Sequence, residues 1–307
     1  MEKHSKILIT GANGLVGSAL NEKLKALGYS NIIAIGRNEC DLMNFEQTKE
    51  YFSNSKPDYV FHAAARVYGI LGNMENKGLS FYENITINTN VIEASRLADI
   101  KKITVMGTGA VYPFPPKTLP LKENEIFDGN PHPSEDSYAN DKRAMLAMLN
   151  AYKESYNMEW AYIVSCNLFG PRDKFDIEYG HVVPALIKKF FDAKKTKKNV
   201  VVWGDGSAKR DFMYIKDVAS LTVLIMQQVS GPINIGSGQV YKIKDIVEIL
   251  TSISGMQGRI KWDSSKPNGQ DYRAYDLSKI KRLGFNNEYS LDVGLHETWQ
   301  WYLNNAL

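Results

Sequence analysis

Lys6-Ile7-Leu8-Ile9-Thr10-Gly11-Ala12-Asn13-Gly14-Leu15-Val16-Gly17 joins an apolar run to three glycines and the start of a second apolar pattern. Lys6 to Thr10 shows no alternation, which suits a strand buried on both faces of a parallel sheet. From Leu15 onward the apolar residues recur at Leu15, Val16, Ala19, Leu20, Leu24 and Leu27, a helical period. The glycines therefore mark a strand-to-helix junction. Gly11 permits a tight turn, Gly14 lets backbone approach a pyrophosphate, and Gly17 allows close helix–sheet packing. The helix N-terminus adds amides and positive dipole, with Asn13, Leu15 and Val16 in the same turn. The spacing is G-x-x-G-x-x-G rather than G-x-G-x-x-G. It reads as a dinucleotide-binding turn.

Outward from this turn, strand patterns at Lys6 to Thr10, Ile32 to Ile35, Tyr59 to Ala63, Lys102 to Met106 and Trp160 to Ser165 alternate with helical ones. Such βα alternation predicts an α/β fold with a doubly wound parallel sheet, a Rossmann arrangement, over residues 1–168. After Gly170-Pro171-Arg172 the pattern loosens into helices at Val182 to Ala193 and Ile243 to Ile253 and short strands at Val200 to Trp203 and Ile233 to Ile235. Residues 169–307 are expected to form mainly a smaller α/β substrate-binding domain, with some segments returning to the first. Six prolines between Pro113 and Pro133 mark an ordered loop or lid.

The 307 residues suffice for such a pair of domains, and 37 basic against 34 acidic residues leave a net charge of +3. That balance points to neither a nucleic-acid nor a membrane surface, and Lys194, Lys195, Lys197 and Lys198 read as a solvated loop. Cys40 and Cys166 offer no disulfide framework and no metal-site spacing, which favours a reducing cytoplasm. No apolar run approaches the ~20 residues that span a bilayer.

Cofactor choice is read at the end of the second strand. Arg37 stands where an NAD site usually offers a carboxylate to the ribose, and its guanidinium suits a 2′-phosphate, so NADP(H) is expected. Glu39 and Asp41 follow closely and pull the other way. After the third strand, His62-Ala63-Ala64-Ala65 are small enough to lie against a cofactor, and His62 is as consistent with a packed histidine as with a functional one. Tyr138 and Lys142 stand at i, i+4, on one face of a helix. A neighbouring ammonium is expected to lower the phenol pKa and make Tyr138 a proton donor to a carbonyl.

At this point the chain resembles the extended short-chain dehydrogenase/reductase superfamily, and within it the GDP-L-fucose synthase family. The resemblance runs almost end to end. It rests on Gly11, Gly14, Gly17, Tyr138, Lys142, Asn167-Leu168-Phe169-Gly170-Pro171, His181-Val182-Val183-Pro184-Ala185-Leu186, Val201-Val202-Trp203-Gly204, Arg210-Asp211-Phe212, Asp217, Asn234-Ile235-Gly236-Ser237-Gly238 and Ser265-Lys266-Pro267. In that family a GDP-linked 4-keto-6-deoxy sugar is epimerised at C3 and C5 and then reduced at C4 by NADPH. The resemblance implies Tyr138 as proton donor, Lys142 as its partner and nicotinamide-ribose ligand, and Thr108 at the position of a catalytic serine. It places Asn167, Lys189, Trp203 and Arg210 against the nucleotide diphosphate or sugar. It adds Asp41, Leu42 and His181 to the cofactor contacts, and it implies a homodimer.

One departure carries weight. The family's epimerisation resembles the work of a cysteine–histidine pair; His181 keeps the histidine position, but Ala110 occupies the cysteine's and cannot carry a proton. Cys166 is a conceivable substitute, although a buried strand cysteine is the simpler reading. The expectation is a C4-ketoreductase of a hexose or heptose in bacterial surface polysaccharide assembly, with little or no epimerase activity. The alternatives are a bifunctional epimerase–reductase, a nucleotide-sugar 4-epimerase and a non-catalytic dinucleotide-sensing module. A 4,6-dehydratase fits poorly, because it calls for an Asp-Glu pair where Gly109-Ala110 stand.

Overall fold

The computed structural model describes residues 1–266 and 272–306; Pro267 lies outside them. Strands β1 (Ile7–Thr10), β2 (Ile32–Ile35), β3 (Tyr59–His62), β4 (Lys102–Met106) and β5 (Trp160–Ser165) lie parallel in the order β2-β1-β3-β4-β5. All four residues of β1 are buried, as its unbroken apolar run requires. Helices α1 (Leu15–Ala26), α2 (Phe45–Ser55), α3 (Ile70–Glu75), α4 (Lys77–Leu97) and α5 (Asp136–Tyr156) connect them. The expected parallel, doubly wound sheet is therefore present. Tyr138 and Lys142 lie on α5, as their spacing predicted.

Local chemistry sets several boundaries. The Asn44 side chain accepts from the Gln47 amide at 3.1 Å and caps α2, a contact worth about 1 kcal/mol. Helix α5 stops at Asn157 in a left-handed conformation, which asparagine tolerates better than most residues.

Beyond β5 come β6 (Asn167–Phe169), α6 (Val182–Thr196), β7 (Val200–Trp203), β8 (Lys209–Tyr214), α7 (Ile215–Gln228) and β9 (Gly231–Ile235). They are followed by β10 (Val240–Lys242), α8 (Ile243–Ser254), β11 (Ile260–Asp263), β12 (Tyr272–Arg273), α9 (Ser278–Arg282) and α10 (Leu291–Asn305). Strand β9 returns to the central sheet and pairs with β5 as its sixth strand. Helix α7 packs on α1 over one face, while α2, α4 and α5 pack together over the other. The remaining strands form a small sheet, β10-β8-β12 with β6 also on β8, and a parallel pair, β11-β7. Lys194, Lys195, Lys197 and Lys198 are exposed at and just past the end of α6, as a solvated cluster should be.

The chain builds β1 and β2, then crosses to add β3 on the other side of β1. Ligands of open α/β sheets bind outside the carboxyl ends of the strands at such a reversal. The loops after β1 and β3 meet there.

Candidate active site

At the end of β1, Gly11 has φ +68°, and a Cβ on it would lie 2.7 Å from the backbone of Ala64 in the loop after β3. A Cβ on Gly17 would lie 2.2 Å from the Gly11 carbonyl oxygen, so α1 can seat its first turn on the loop only without a side chain there. Gly14 is different. Its Cβ would meet only the Gly11 oxygen, at an ordinary 3.5 Å, so nothing within the protein demands glycine. Glycine at this position leaves room for a group approaching from outside, onto the amides of Leu15 and Val16 that open α1. The turn thus fits a dinucleotide pyrophosphate.

The flanks of the turn are arranged for the same guest. Asn13 reaches over Gly36, where a Cβ would come within 2.4 Å of its amide nitrogen. Arg37 is exposed beside it. Glu39, the carboxylate that argued against a 2′-phosphate, accepts the Gly36 amide at 2.7 Å and is thus committed to the backbone. Asp41 accepts the Met43 amide at 3.2 Å, and the carbonyl of buried Leu42 accepts the Asn90 side chain at 2.9 Å. Ala63 and Ala64 are pinned by Thr10, whose carbonyl and hydroxyl each accept an amide at 3.3 Å, and Ala65 follows, partly buried. His62 is a packed, hydrogen-bonded histidine: it is 2 % exposed and bonded at both ring nitrogens.

The candidate reacting groups lie on the turn after β4 and on α5. Thr108 opens a short 3₁₀ turn, Gly109–Val111, and its hydroxyl accepts the Ala110 amide at 3.2 Å. This turn packs on α5, where Arg143 Nε donates to the Val111 carbonyl at 2.8 Å. Lys142 Nζ lies 5.9 Å from the centre of the Tyr138 ring, and Tyr162 on β5 donates its hydroxyl to the Lys142 carbonyl at 3.1 Å. The turn that Thr108 opens is thereby anchored to the helix that carries Tyr138 and Lys142.

The pKa expectation for Tyr138 needs correcting. Burial, together with the fields of Asp141 and Glu135, pushes the phenol above its ordinary value. Lys142 is itself pushed down by burial, with Asp141 opposing. Desolvation outweighs the ammonium that the helical spacing supplies. Tyr138 is therefore a phenol throughout the neutral range, the protonation state a donor requires.

His181 is exposed at the N-terminus of α6, and its field reaches Glu135 and Asp173. Glu135 precedes α5 and pairs with Arg273 at 2.9 Å. Burial raises the Glu135 pKa, but Arg273 foremost, then His181 and Arg210, bring the net shift below the ordinary value. In the β12–β8 ladder Arg273 lies opposite Arg210, whose Nη1 donates to the Lys209 carbonyl at 2.7 Å. Tyr275, two residues on, fills the space over Gly109, where a Cβ would come within 1.9 Å of its hydroxyl. Glu135, Arg273 and Tyr275 were not found from sequence. An acidic residue just before the helix of Tyr138 and Lys142 was a usable signal for Glu135; nothing local pointed to the other two.

A second cluster stands on α6, β7 and the segment after β11. Lys189 Nζ lies 4.3 Å from the centre of the Trp203 ring and Lys266 Nζ lies 5.7 Å from it. Burial lowers the Lys189 pKa to about 8 against the pull of Asp263. Two cations and an indole together can hold an anionic, planar-ended ligand. Asn167 on β6 donates to the Asp211 carbonyl at 3.2 Å, which ties it to Arg210 through the adjoining strand. The Asp211 carboxylate in turn accepts the amides of Ser237 at 2.8 Å and Gly238 at 3.0 Å, which accounts for the Gly236-Ser237-Gly238 run as a wrap around a buried acid.

Cys166 is 6 % exposed, its thiol 3.8 Å from the Asn167 carbonyl, and burial with the nearby Asp211 pushes its pKa well up. Ala110 is buried at 3 % exposure.

The model for the NAD dependent epimerase/dehydratase family matches residues 7–236. The chain belongs to this family. Its members include the extended short-chain dehydrogenase/reductases that the sequence resembles. The chain is 36 % identical over 311 residues to a probable GDP-L-fucose synthase 1 of Oryza sativa subsp. japonica, covering 100 % of this chain and 94 % of that one. Two solved structures from Campylobacter jejuni align over 99 % of both chains. One is a GDP-6-OMe-4-keto-L-xylo-heptose reductase, at TM-score 0.91 and 30 % identity. The other is a GDP-mannoheptose C4 reductase with NADP bound, at TM-score 0.88 and 31 % identity. Family membership and the resemblance to GDP-sugar synthases and reductases thus agree with the sequence reading.

Proposed function

We propose that this protein is an NADPH-dependent C4-ketoreductase of a GDP-linked 4-keto-6-deoxy sugar, hexose or heptose, serving bacterial surface polysaccharide assembly without epimerising C3 or C5. One observation carries the reading: Tyr138 and Lys142 stand together on α5, against which packs the short turn that Thr108 opens, while buried Ala110 in that turn offers only a methyl where the family resemblance calls for a proton carrier. The C4 reductase from Campylobacter jejuni with NADP bound supports both the reaction and the cofactor.

When bound, NADPH supplies the hydride for C4. The chain's own part is to hold and protonate. Gly11, Asn13, Gly14, Leu15, Val16 and Gly17 hold the pyrophosphate, Arg37 the 2′-phosphate, and Ala63, Ala64 and Ala65 flank the nucleoside. The Thr108 hydroxyl donates to the C4 oxygen and fixes its position. Tyr138, kept protonated by burial, gives the same oxygen its proton as charge develops there. The Lys142 ammonium stabilises the phenolate left behind and binds the nicotinamide ribose. Arg210, Asn167, Lys189 and Trp203 take the diphosphate and sugar, so residues 169–307 act mainly as the substrate-binding domain. The reading includes a homodimer, for α4 leaves Leu79 at 51 % and Tyr82 at 61 % exposure.

Two measurements test the reading. Incubation with NADPH and a panel of GDP-linked 4-keto-6-deoxy sugars in D₂O is expected to give reduction at C4 with no deuterium at C3 or C5. His181 alone serves one face of the sugar, whereas inversion needs a donor and an acceptor on opposite faces. Deuterium with inverted C3 or C5 would sink the reductase-only reading, and its loss in Cys166→Ala would identify that thiol as the carrier. The cofactor assignment is tested by Arg37→Ala. It is expected to weaken NADPH binding by roughly 1.5–3 kcal/mol and leave NADH nearly unchanged. Equal losses for both would remove Arg37 from cofactor discrimination.

A further inference from the structure

Four hydrogen bonds run through buried side chains from the loop after β3, by way of the end of β1, to α5. The Ala64 amide donates to Thr10 Oγ1 at 3.3 Å, Thr10 Oγ1 meets His62 Nδ1 at 2.7 Å, His62 Nε2 meets Asn88 Oδ1 at 3.0 Å, and Asn88 Nδ2 donates to Asp141 Oδ1 at 3.4 Å. The chemistry of the groups fixes the direction. Asn88 Oδ1 only accepts, so His62 carries its proton on Nε2, and Nδ1 accepts the Thr10 hydroxyl proton. Burial first, and then the field of Lys142, lowers the His62 pKa to about 3, so this direction holds throughout the working pH range.

The chain ends on an acid with an unmet need. Asp141 is 0 % exposed, and among the described residues its Oδ2 has no hydrogen-bond partner. A buried carboxylate left in that state is costly unless an opposite charge compensates it. The next residue is Lys142, 2 % exposed and equally in need of a counter-charge. The other ionisable groups around the pair are His62 from β3, Tyr162 from β5, and Tyr138 and Arg143 on α5 itself, with Glu135 just before that helix. Arg143 donates through Nε to the Val111 carbonyl, and Lys142 is the cation whose field reaches Asp141; among the described residues the two make no direct ion pair or hydrogen bond, so the attraction acts across the buried interior.

We propose that Asp141 is a positioning residue of the reduction centre: held by Asn88 at the end of the chain from Thr10 and His62, its carboxylate is the buried counter-charge that keeps the neighbouring Lys142 ammonium protonated. The inference rests on the reductase reading, in which that ammonium supports Tyr138. Burial pushes Asp141 up to about 7, with Lys142 and Asn88 opposing, so the carboxylate depends on both partners for its charge. The same chain links the charge to the Ala64 amide in the cofactor cradle, which puts the two halves of the site on one rigid network.

The test is the pH profile of kcat/KM for ketone reduction by the full chain. Asp141→Asn keeps the shape and an acceptor for Asn88 while removing the charge. Its basic limb is expected to move down by about one pH unit, because an ammonium without its counter-charge loses its proton at lower pH. Asn88→Ala keeps every ionisable residue but strips the carboxylate of the donor that helps hold it ionised, and is expected to move the limb the same way by a smaller amount. It serves alone if Asp141→Asn does not fold. A basic limb that stays at its wild-type position, whatever happens to kcat, overturns the inference and leaves Asp141 a packing residue. Wild-type protein that reduces none of the 4-keto sugars is a different result: it overturns the reductase reading, and the inference with it.

Discussion

Tyr138→Phe is expected to lower turnover of the 4-keto sugar by about 10² to 10⁴ while leaving NADPH affinity nearly intact. The substitution removes one hydroxyl and keeps the ring that packs 5.9 Å from Lys142 Nζ. Packing is therefore preserved, and the loss reports proton donation. Because burial and the carboxylates of Asp141 and Glu135 hold the phenol above its ordinary pKa, the wild-type donor is protonated across the neutral range. Its loss should be felt equally at pH 6.5 and 8, without a shifted limb. Steady-state kinetics with NADPH consumption, alongside a fluorescence titration of cofactor binding, separates the two quantities. A variant turning over at near the wild-type rate would remove Tyr138 from the mechanism, and a matching collapse of NADPH binding would make it a cofactor ligand instead.

Gly17→Ala is expected to be nearly as damaging by a different route. The new Cβ would stand 2.2 Å from the Gly11 carbonyl oxygen and 2.8 Å from Ala12 Cα, both backbone atoms of the loop that α1 caps. Neither can swing away as a side chain would. Relief requires α1 to lift from β1, which opens the packing of Leu20 and Leu24 against Ile7 and Ile9. Overpacking of this kind costs about 3 kcal/mol, and the displaced amides lose the pyrophosphate, so NADPH affinity should fall about 10²-fold or more. Thermal unfolding with and without NADPH checks both parts. A wild-type Tm together with a wild-type Kd would show that the turn can open without cost. Gly14→Ala provides the contrast: the protein leaves room for its Cβ, so it should fold normally and lose only cofactor affinity.

How legible the site was depended on how far apart its partners lie along the chain. The Tyr138–Lys142 pair was recognisable because it sits in a short motif with its own spacing, whereas Thr108 came only from the family resemblance. Glu135 and Arg273, bonded at 2.9 Å, are separated by the whole of the second half of the fold and share no pattern. The proline-punctuated stretch was read as an ordered loop or lid. It is tied down by Leu121, whose amide and carbonyl each bond at 2.9 Å to the segment after β12. No local signal in the stretch named that partner.

The sequence by itself determined the strand, turn and helix at the amino end, the parallel sheet, and the alignment of Tyr138 with Lys142. An unbroken apolar run, a glycine at a crowded turn and a four-residue repeat on a helix are local constraints that any packing must respect. Tertiary structure alone decided the electrostatics. Whether the phenol of Tyr138 titrates above or below its ordinary value, and whether Lys142 keeps its proton, depends on how completely α4 and β5 close over α5 and on Asp141 being caught there by Asn88. Desolvation is a property of the packed assembly, and a stretch of sequence carries the charges without the burial that sets their strength.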